Sequence, residues 1–199
     1  LNHWYIVRLF AQPFGYTANN THDGITIRNS PAQSPSGRNT VASVYSQILG
    51  GLNFADLILP DDNGVYATKW SAKGLLAKVY MEMLDYSNAF DYADEVIKSG
   101  RFSLDDLNRF EGGTNAESIF SIVSTDPNDE RGTGFKNNYR SDGADASPTL
   151  RSSADLYQLA TSDTLDLRGQ TWYRVLKEGE PDEFYGVAKF DYSYMDCPI

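Results

Sequence analysis

Disulfide bonding is the first thing this sequence cannot offer. Among 199 residues there is one cysteine, Cys197, so no intrachain disulfide framework exists. Histidine is almost as scarce, with only His3 and His22. No HExxH pair occurs, which excludes a zinc-protease site of that type. There is no GxSxG elbow and no GxxxxGK[ST] loop, so the corresponding serine-hydrolase and nucleotide sites are absent too. No stretch approaches the roughly 18 consecutive apolar residues of a membrane helix, and no secretory or lipidation signal is visible. Positive charge is in short supply: 17 Lys and Arg face 27 Asp and Glu, for a net charge of −10 and a pI near 4.6. Nucleic-acid backbones and anionic membrane surfaces call for the opposite sign.

What is present describes a folded chain. Hydrophobic residues make up 41% and charged residues 22%, the balance of a globular domain large enough to bury a core. Aromatic residues are in surplus, with 13 Tyr, 10 Phe and 3 Trp, and many fall outside the clearest helices. The sequence opens at Leu1 inside an apolar periodic pattern and runs to Cys197-Pro198-Ile199 with no evident stop. It is expected to be a piece of a longer protein, so the missing targeting segment carries no information on location.

Leu1, Trp4, Tyr5 and Arg8, with Leu9 beside them, recur at helical spacing and predict the end of a helix. Residues 11–39 follow as a long irregular stretch rich in Asn, Thr, Ser, Gly and Pro; loops of that length are usually functional or mobile. Thr40 is the expected N-cap of a second helix whose stripe is Val41, Val44, Tyr45, Ile48, Leu52, Ala55 and Leu59. Gly50-Gly51 weakens its interior by about 1 kcal/mol per glycine relative to alanine and offers room for a close neighbour. Pro60-Asp61-Asp62-Asn63-Gly64 ends it.

Residues 68–101 predict two antiparallel helices. Thr68 or Ser71 caps the first, which carries Ala72, Leu75, Leu76, Val79, Tyr80 and Met83. Leu84-Asp85 turns the chain. The second carries Tyr86, Ala89, Phe90, Ala93 and Ile97, and Gly100 stands at the C′ position. Beyond it, Glu117 to Ser124 reads as a short β run, Ser152 to Ala160 as a short helix, and Trp172–Leu176 with Tyr185–Tyr194 as strands joined through Gly179-Glu180-Pro181-Asp182.

The hairpin resembles a tetratricopeptide unit of about 34 residues. With Trp70 as its first position, Leu76-Ala77, Tyr80, Tyr86 and Ala89 fall where that pattern wants Leu, a small residue, Tyr, Tyr and Ala. Ala93 replaces an aromatic, and Arg101 the late proline. The order of features along the whole chain resembles the SusD/RagB family of nutrient-binding outer-membrane lipoproteins. The segments that carry the likeness are YIVRLF, VYSQILGGLNFADLILP, ATKWSAKGLLAKVYMEMLDYSNAFDYADEVIKSGRFSL, FEGGTNAESIFSIVS, Ser153 to Tyr157 with Asp166-Leu167-Arg168, and Ala188-Lys189-Phe190. That family is several hundred residues long, so residues 1–199 would be a partial SusD-like domain lacking the lipidated N-terminal cysteine and the later repeats; Cys197 is at the wrong end to carry the lipid. The implied fold is mainly α, with tetratricopeptide-like helix pairs in an α-α superhelix and a loop-rich, partly β insertion.

No reactive constellation competes with binding. His3 is expected to be a packed or capping residue and His22 a solvated one. Cys197 has no Cys or His partner near it in sequence. Asp126 to Gly132 hints at a calcium loop, but the glycine is misplaced and Asn137 stands where the bidentate Glu belongs, so neither a metal nor a cofactor is expected. Asp61-Asp62 and Asp105-Asp106 sit at turns or helix ends, and no pair is nominated for glycoside hydrolysis. Aromatic rings can cover the apolar faces of pyranose sugars while Asn, Asp, Gln and Arg bond their edges. The candidates are Trp172, Tyr173, Phe184 and Tyr185 beside a turn, Tyr139 with Arg140 in a polar loop, and Tyr16 with Asn20 in the first loop, where Phe14, Asn19 and His22 are further candidates. For each ring the competing expectation is burial; Trp70 and Tyr80 are expected to be packing residues.

The resemblance implies a surface lipoprotein that captures a glycan or oligosaccharide and works with a SusC-like TonB-dependent transporter, without catalysis. A peptide-capturing member of the same family, a tetratricopeptide protein–protein scaffold and a glycoside hydrolase are the alternatives that stay open.

Overall fold

The structure is a computed structural model; it describes residues 1–30, 37–104, 116–122, 138, 149–181, 183–188 and 197–198. Among these the protein is mainly helical, and the chain divides into two units, Leu1–Arg101 and Phe102–Ile199.

The first unit holds α1 (Asn2–Phe10), α2 (Val41–Ile58), α3 (Lys69–Glu82) and α4 (Tyr86–Lys98). The starts are local chemistry. Thr40 accepts from the Ser43 amide, Thr68 and Ser71 form a reciprocal capping box, and Asp85 accepts from the Asn88 amide, each satisfying amides that the first turn leaves open. Leu84 (φ 61°) and Gly100 (φ 66°) make the left-handed turns that reverse and stop the hairpin. Glycine takes that backbone freely, whereas leucine does so at a cost of order 1 kcal/mol.

The core joins Trp4 and Val7 of α1, Ile25 of the loop, Val41, Val44, Tyr45 and Ile48 of α2, and Leu75 and Val79 of α3. Val41, Val44, Leu76 and Val79 are fully buried, each contributing about 1.5–3 kcal/mol by area. Two stripes differ from the expectation. Helix α1 buries Trp4 and Val7 while Leu9 is 75% exposed; the large indole, not the Leu1–Tyr5–Leu9 edge, sets its rotation. Helix α4 buries Ala89 and Val96, leaving Phe90 67% and Ile97 73% exposed, because one neighbour, α3, covers only a narrow stripe of its surface. The stripe of α2 is buried through Ile48 and half-buried at Leu52, Ala55 and Leu59, while Phe54, Leu57 and Ile58 off the stripe are exposed. A Cβ at Gly50 or Gly51 would meet nothing, so no described neighbour uses that gap.

The described parts of the first loop are packed against the helices. Gly24 and Asn39 pair through their backbones and Asp23 bridges Thr40. Gly24 has no room for a side chain, since a Cβ would lie 2.9 Å from the Asn39 carbonyl oxygen. Arg38 donates to the carbonyls of Phe10 and Gly24 at 2.6 Å and of Asp23 at 3.4 Å.

The second unit is smaller in its described parts. Strand β1 (Ser121–Ile122) pairs antiparallel with β4 (Cys197–Pro198). Helix α5 (Ala154–Thr161) starts from Ser153, and α6 (Leu167–Thr171) from Asp166. Strands β2 (Tyr173–Leu176) and β3 (Phe184–Val187) form an antiparallel ribbon. Strand β2 is shorter than expected, since Trp172 precedes it; β3 begins one residue early, at Phe184, and residues 189–194 of its expected span lie outside the described residues. The turn between them uses positive φ at Lys177 and Gly179, and the Glu183 carboxylate accepts from the Gly179 amide at 2.8 Å. Helices α5 and α6 meet at Gly169, where a Cβ would fall 2.0 Å from the Ala160 carbonyl oxygen.

Candidate carbohydrate site

The ribbon sorts the aromatic candidates by strand geometry. Tyr173 faces Val187 and Val175 faces Tyr185, while Arg174 faces Gly186 and Leu176 faces Phe184. Side chains alternate along a strand, so Tyr173 and Tyr185 share one face of the ribbon as diagonal neighbours. Phe184 is on the other. Tyr173 and Tyr185 are half-buried. Phe184 is 7% exposed and carries the Arg151 guanidinium 3.8 Å over its ring, so its face is spent on packing and it offers no platform to a ligand. Trp172, half-buried, sits just before β2, and its carbonyl accepts from the Ala188 amide at 2.8 Å.

Tyr157 of α5 stacks on Tyr185, with centroids 4.6 Å apart and planes 25° from parallel. The residues nominated from sequence did not include it. No local signal marks it, because α6 lies between α5 and the ribbon and the contact depends on how α5 packs against β3. At the start of α6, Arg168 grips Asp166 through two nitrogens at 2.7 and 2.9 Å, and that hydrogen bonding holds the Asp166 carboxyl below its ordinary range.

Tyr16 and Asn20 belong to the first unit. Tyr16 is 63% exposed with its ring edge-on to His22. Asn20, at φ 52°, accepts from the Gly15 amide at 2.5 Å through its side chain and from the Ala42 amide through its carbonyl; its side-chain oxygen shapes the loop. His22 is pinned rather than solvated, between the Thr17 hydroxyl and the Gln12 carbonyl. His3 accepts from the Arg28 amide at 3.4 Å. Tyr139, Arg140 and the Asp126–Gly132 loop lie outside the described residues.

The hairpin unit carries a polar network instead of a reactive one. Lys73, whose side chain is 13% exposed, bonds Asp56 at 2.9 Å and Glu95 at 2.7 Å, below the Tyr92 ring that stacks on Tyr80. Burial works against the Lys73 ammonium, but the two carboxylates outweigh it and raise its pKa. The indole N–H of Trp70 is buried with no hydrogen-bond partner, and Lys69 and Arg101 lie over its ring. A groove of about 780 Å³ runs between α1 and α4 over α3, walled by Trp4, Tyr5, Tyr86 and Phe90 with Ala77 and Met81 between them. Among the described residues no group of His, Cys, Asp and Glu could hold a metal, and no helix is long and apolar enough to cross a membrane.

No protein-family model and no curated protein matches the sequence. Solved structures do. A SusD superfamily protein from Bacteroides thetaiotaomicron VPI-5482 is similar over 96% of this chain and 45% of its own, at 27% identity and a TM-score of 0.76. A SusD-like carbohydrate binding protein from Bacteroides vulgatus ATCC 8482 is similar in fold over 94% of this chain and 42% of its own, at 13% identity and 0.71. A SusD superfamily protein from Bacteroides fragilis matches over 95% and 43%, at 21% identity and 0.60. The chain therefore spans a little under half the length of the structures it resembles.

Proposed function

The chain is a SusD-like protein, and on that premise we propose that it captures a glycan or oligosaccharide at the cell surface without breaking it. The observation that carries this reading is the ribbon face. Tyr173 and Tyr185 stand together there, half-exposed, with Trp172 at its edge. Such rings cover the C–H faces of pyranoses. A protein of the same fold is described as carbohydrate binding. In this reading the helical unit is the scaffold and the second unit holds the sugar. The captured glycan passes to a SusC-like TonB-dependent transporter, and a lipid anchor on polypeptide outside these residues holds the protein at the outer membrane.

A screen against plant, host and microbial polysaccharides tests it, repeated with Trp172→Ala and Tyr173→Ala. One glycan is expected to be retained by the wild type and lost or weakened about tenfold by each variant, the loss of about 1.4 kcal/mol that one stacking ring supplies. Equal binding by both variants would refute the site. Retention of peptides alone would establish the peptide-capturing alternative, and release of sugar products would establish a hydrolase.

A further inference from the structure

The stacked pair extends the ribbon face beyond one strand. Tyr157 reaches it from α5, its ring 4.6 Å from that of Tyr185 and tilted by 25°, and Tyr173 follows diagonally on the same face. Among the described residues none of these three hydroxyls has a hydrogen-bond partner, and all three side chains are half-buried. The stack spends one face of Tyr157 and one of Tyr185, so C–H groups would meet the remaining ring surface and sugar hydroxyls the free O–H groups.

The charges around them point to the kind of sugar. The unit Phe102–Ile199 contains 18 of the chain's 27 acidic residues and 9 of its 17 basic ones, so nearly the whole net charge of −10 falls here. Carboxylate or sulfate recognition wants arginine forks turned toward the ligand. Among the described residues, Arg151 lies on the Phe184 ring on the far face, Arg168 grips Asp166, and Arg174 is on the opposite face from the tyrosines by register.

We propose that Tyr157 is a third binding ring beside Tyr173 and Tyr185, and that the site they form takes uncharged glycans and rejects uronic-acid and sulfated ones. This rests on the glycan-capture reading above. A polyanion approaching the unit meets its acidic excess over a Debye length of about 8 Å at physiological salt, and among the described residues no pair of arginine forks faces the tyrosines to offset it. A neutral chain carries no charge for that excess to repel.

The test pairs affinity electrophoresis with calorimetry on the wild type, Tyr157→Ala and Tyr157→Phe. The neutral probes are glucomannan, arabinoxylan and starch; the anionic ones are polygalacturonate, alginate and chondroitin sulfate. At about 150 mM salt a neutral polysaccharide is expected to bind, with Tyr157→Ala at least tenfold weaker and Tyr157→Phe within threefold of wild type. If Tyr157→Ala melts early, Tyr157→Leu takes its place, filling the volume without a π face under the same criteria. Wild-type binding by the ring-less variant overturns the role of Tyr157 while leaving glycan capture standing. A polyanion that binds as tightly as the best neutral probe overturns the charge selectivity. Failure of all six probes overturns glycan capture itself, and this inference with it.

Discussion

Trp4 donates its indole N–H to the Glu82 carboxylate at 2.6 Å, latching α1 to the end of α3 across 78 positions of sequence. The same carboxylate takes the Arg8 Nε at 3.0 Å, while the Arg8 guanidinium lies over the Trp4 ring. One half-buried acid thereby fixes the rotation of the first helix, which its apolar pattern alone left ambiguous.

Removing that acid is expected to loosen α1 before anything else. Glu82→Ala should cost about 1.5–3 kcal/mol, the range for a charge-assisted hydrogen bond with its donor left behind. Glu82→Gln, which keeps an acceptor, should cost less. Urea unfolding followed by Trp4 fluorescence separates the two; identical midpoints for the alanine variant and wild type would discard the latch.

Glycines in this chain divide into those that are needed and those that are not. Gly169→Ala drives a methyl group into the Ala160 carbonyl, and overpacking of that kind typically costs about 1–3 kcal/mol. Gly50→Ala and Gly51→Ala meet open space inside α2 and should each stabilise by roughly 0.5–1 kcal/mol through helix propensity. Thermal melts of the three single variants give the signs directly, and a stabilised Gly169→Ala would contradict the close helix crossing.

Alkaline conditions should unfold the first unit from its core outward. Burial, reinforced by the charge of Glu82 and a hydrogen bond to it, holds the Tyr45 phenol far above its ordinary 10.0, and the Asp56 and Glu95 carboxylates hold Lys73 above 10.5 despite its burial. Both folded-state values are raised. The stability they contribute is therefore complete below the ordinary values and lost as pH climbs through them toward the folded ones. Stability is expected to be flat through neutrality and to fall above about pH 10, less steeply in Tyr45→Phe. Denaturation midpoints at about pH 8 and about pH 11 decide it; no change between them would exclude this coupling.

Much of the frame could be read from the sequence because its signals are local. Thr40, Thr68 and Gly100 stand at helix ends, where capping is decided by a few neighbouring residues. The faces of α1 and α4 were read only in part: Trp4 and Ala89 are buried as expected, but Val7 and Val96 turn inward in answer to partners distant in sequence. The site was legible in part. Adjacent residues of one strand point to opposite faces, so Phe184 and Tyr185 could never have served one platform; the alternation was there to be used. Tyr157 was hidden for a different reason. Its meeting with Tyr185 spans the α6–β2 segment and depends on how α5 lies against β3, which no periodicity encodes.

Arg38 holds the returning arm of the first loop by three main-chain oxygens contributed from Phe10, Asp23 and Gly24. The arm has consequently given up its freedom before any ligand or partner arrives, and nothing that later meets Tyr16 has to supply the ordering. The same economy concentrates risk, for a change at this one guanidinium would release the end of α1, the turn before α2 and the strand-like return between them in a single step.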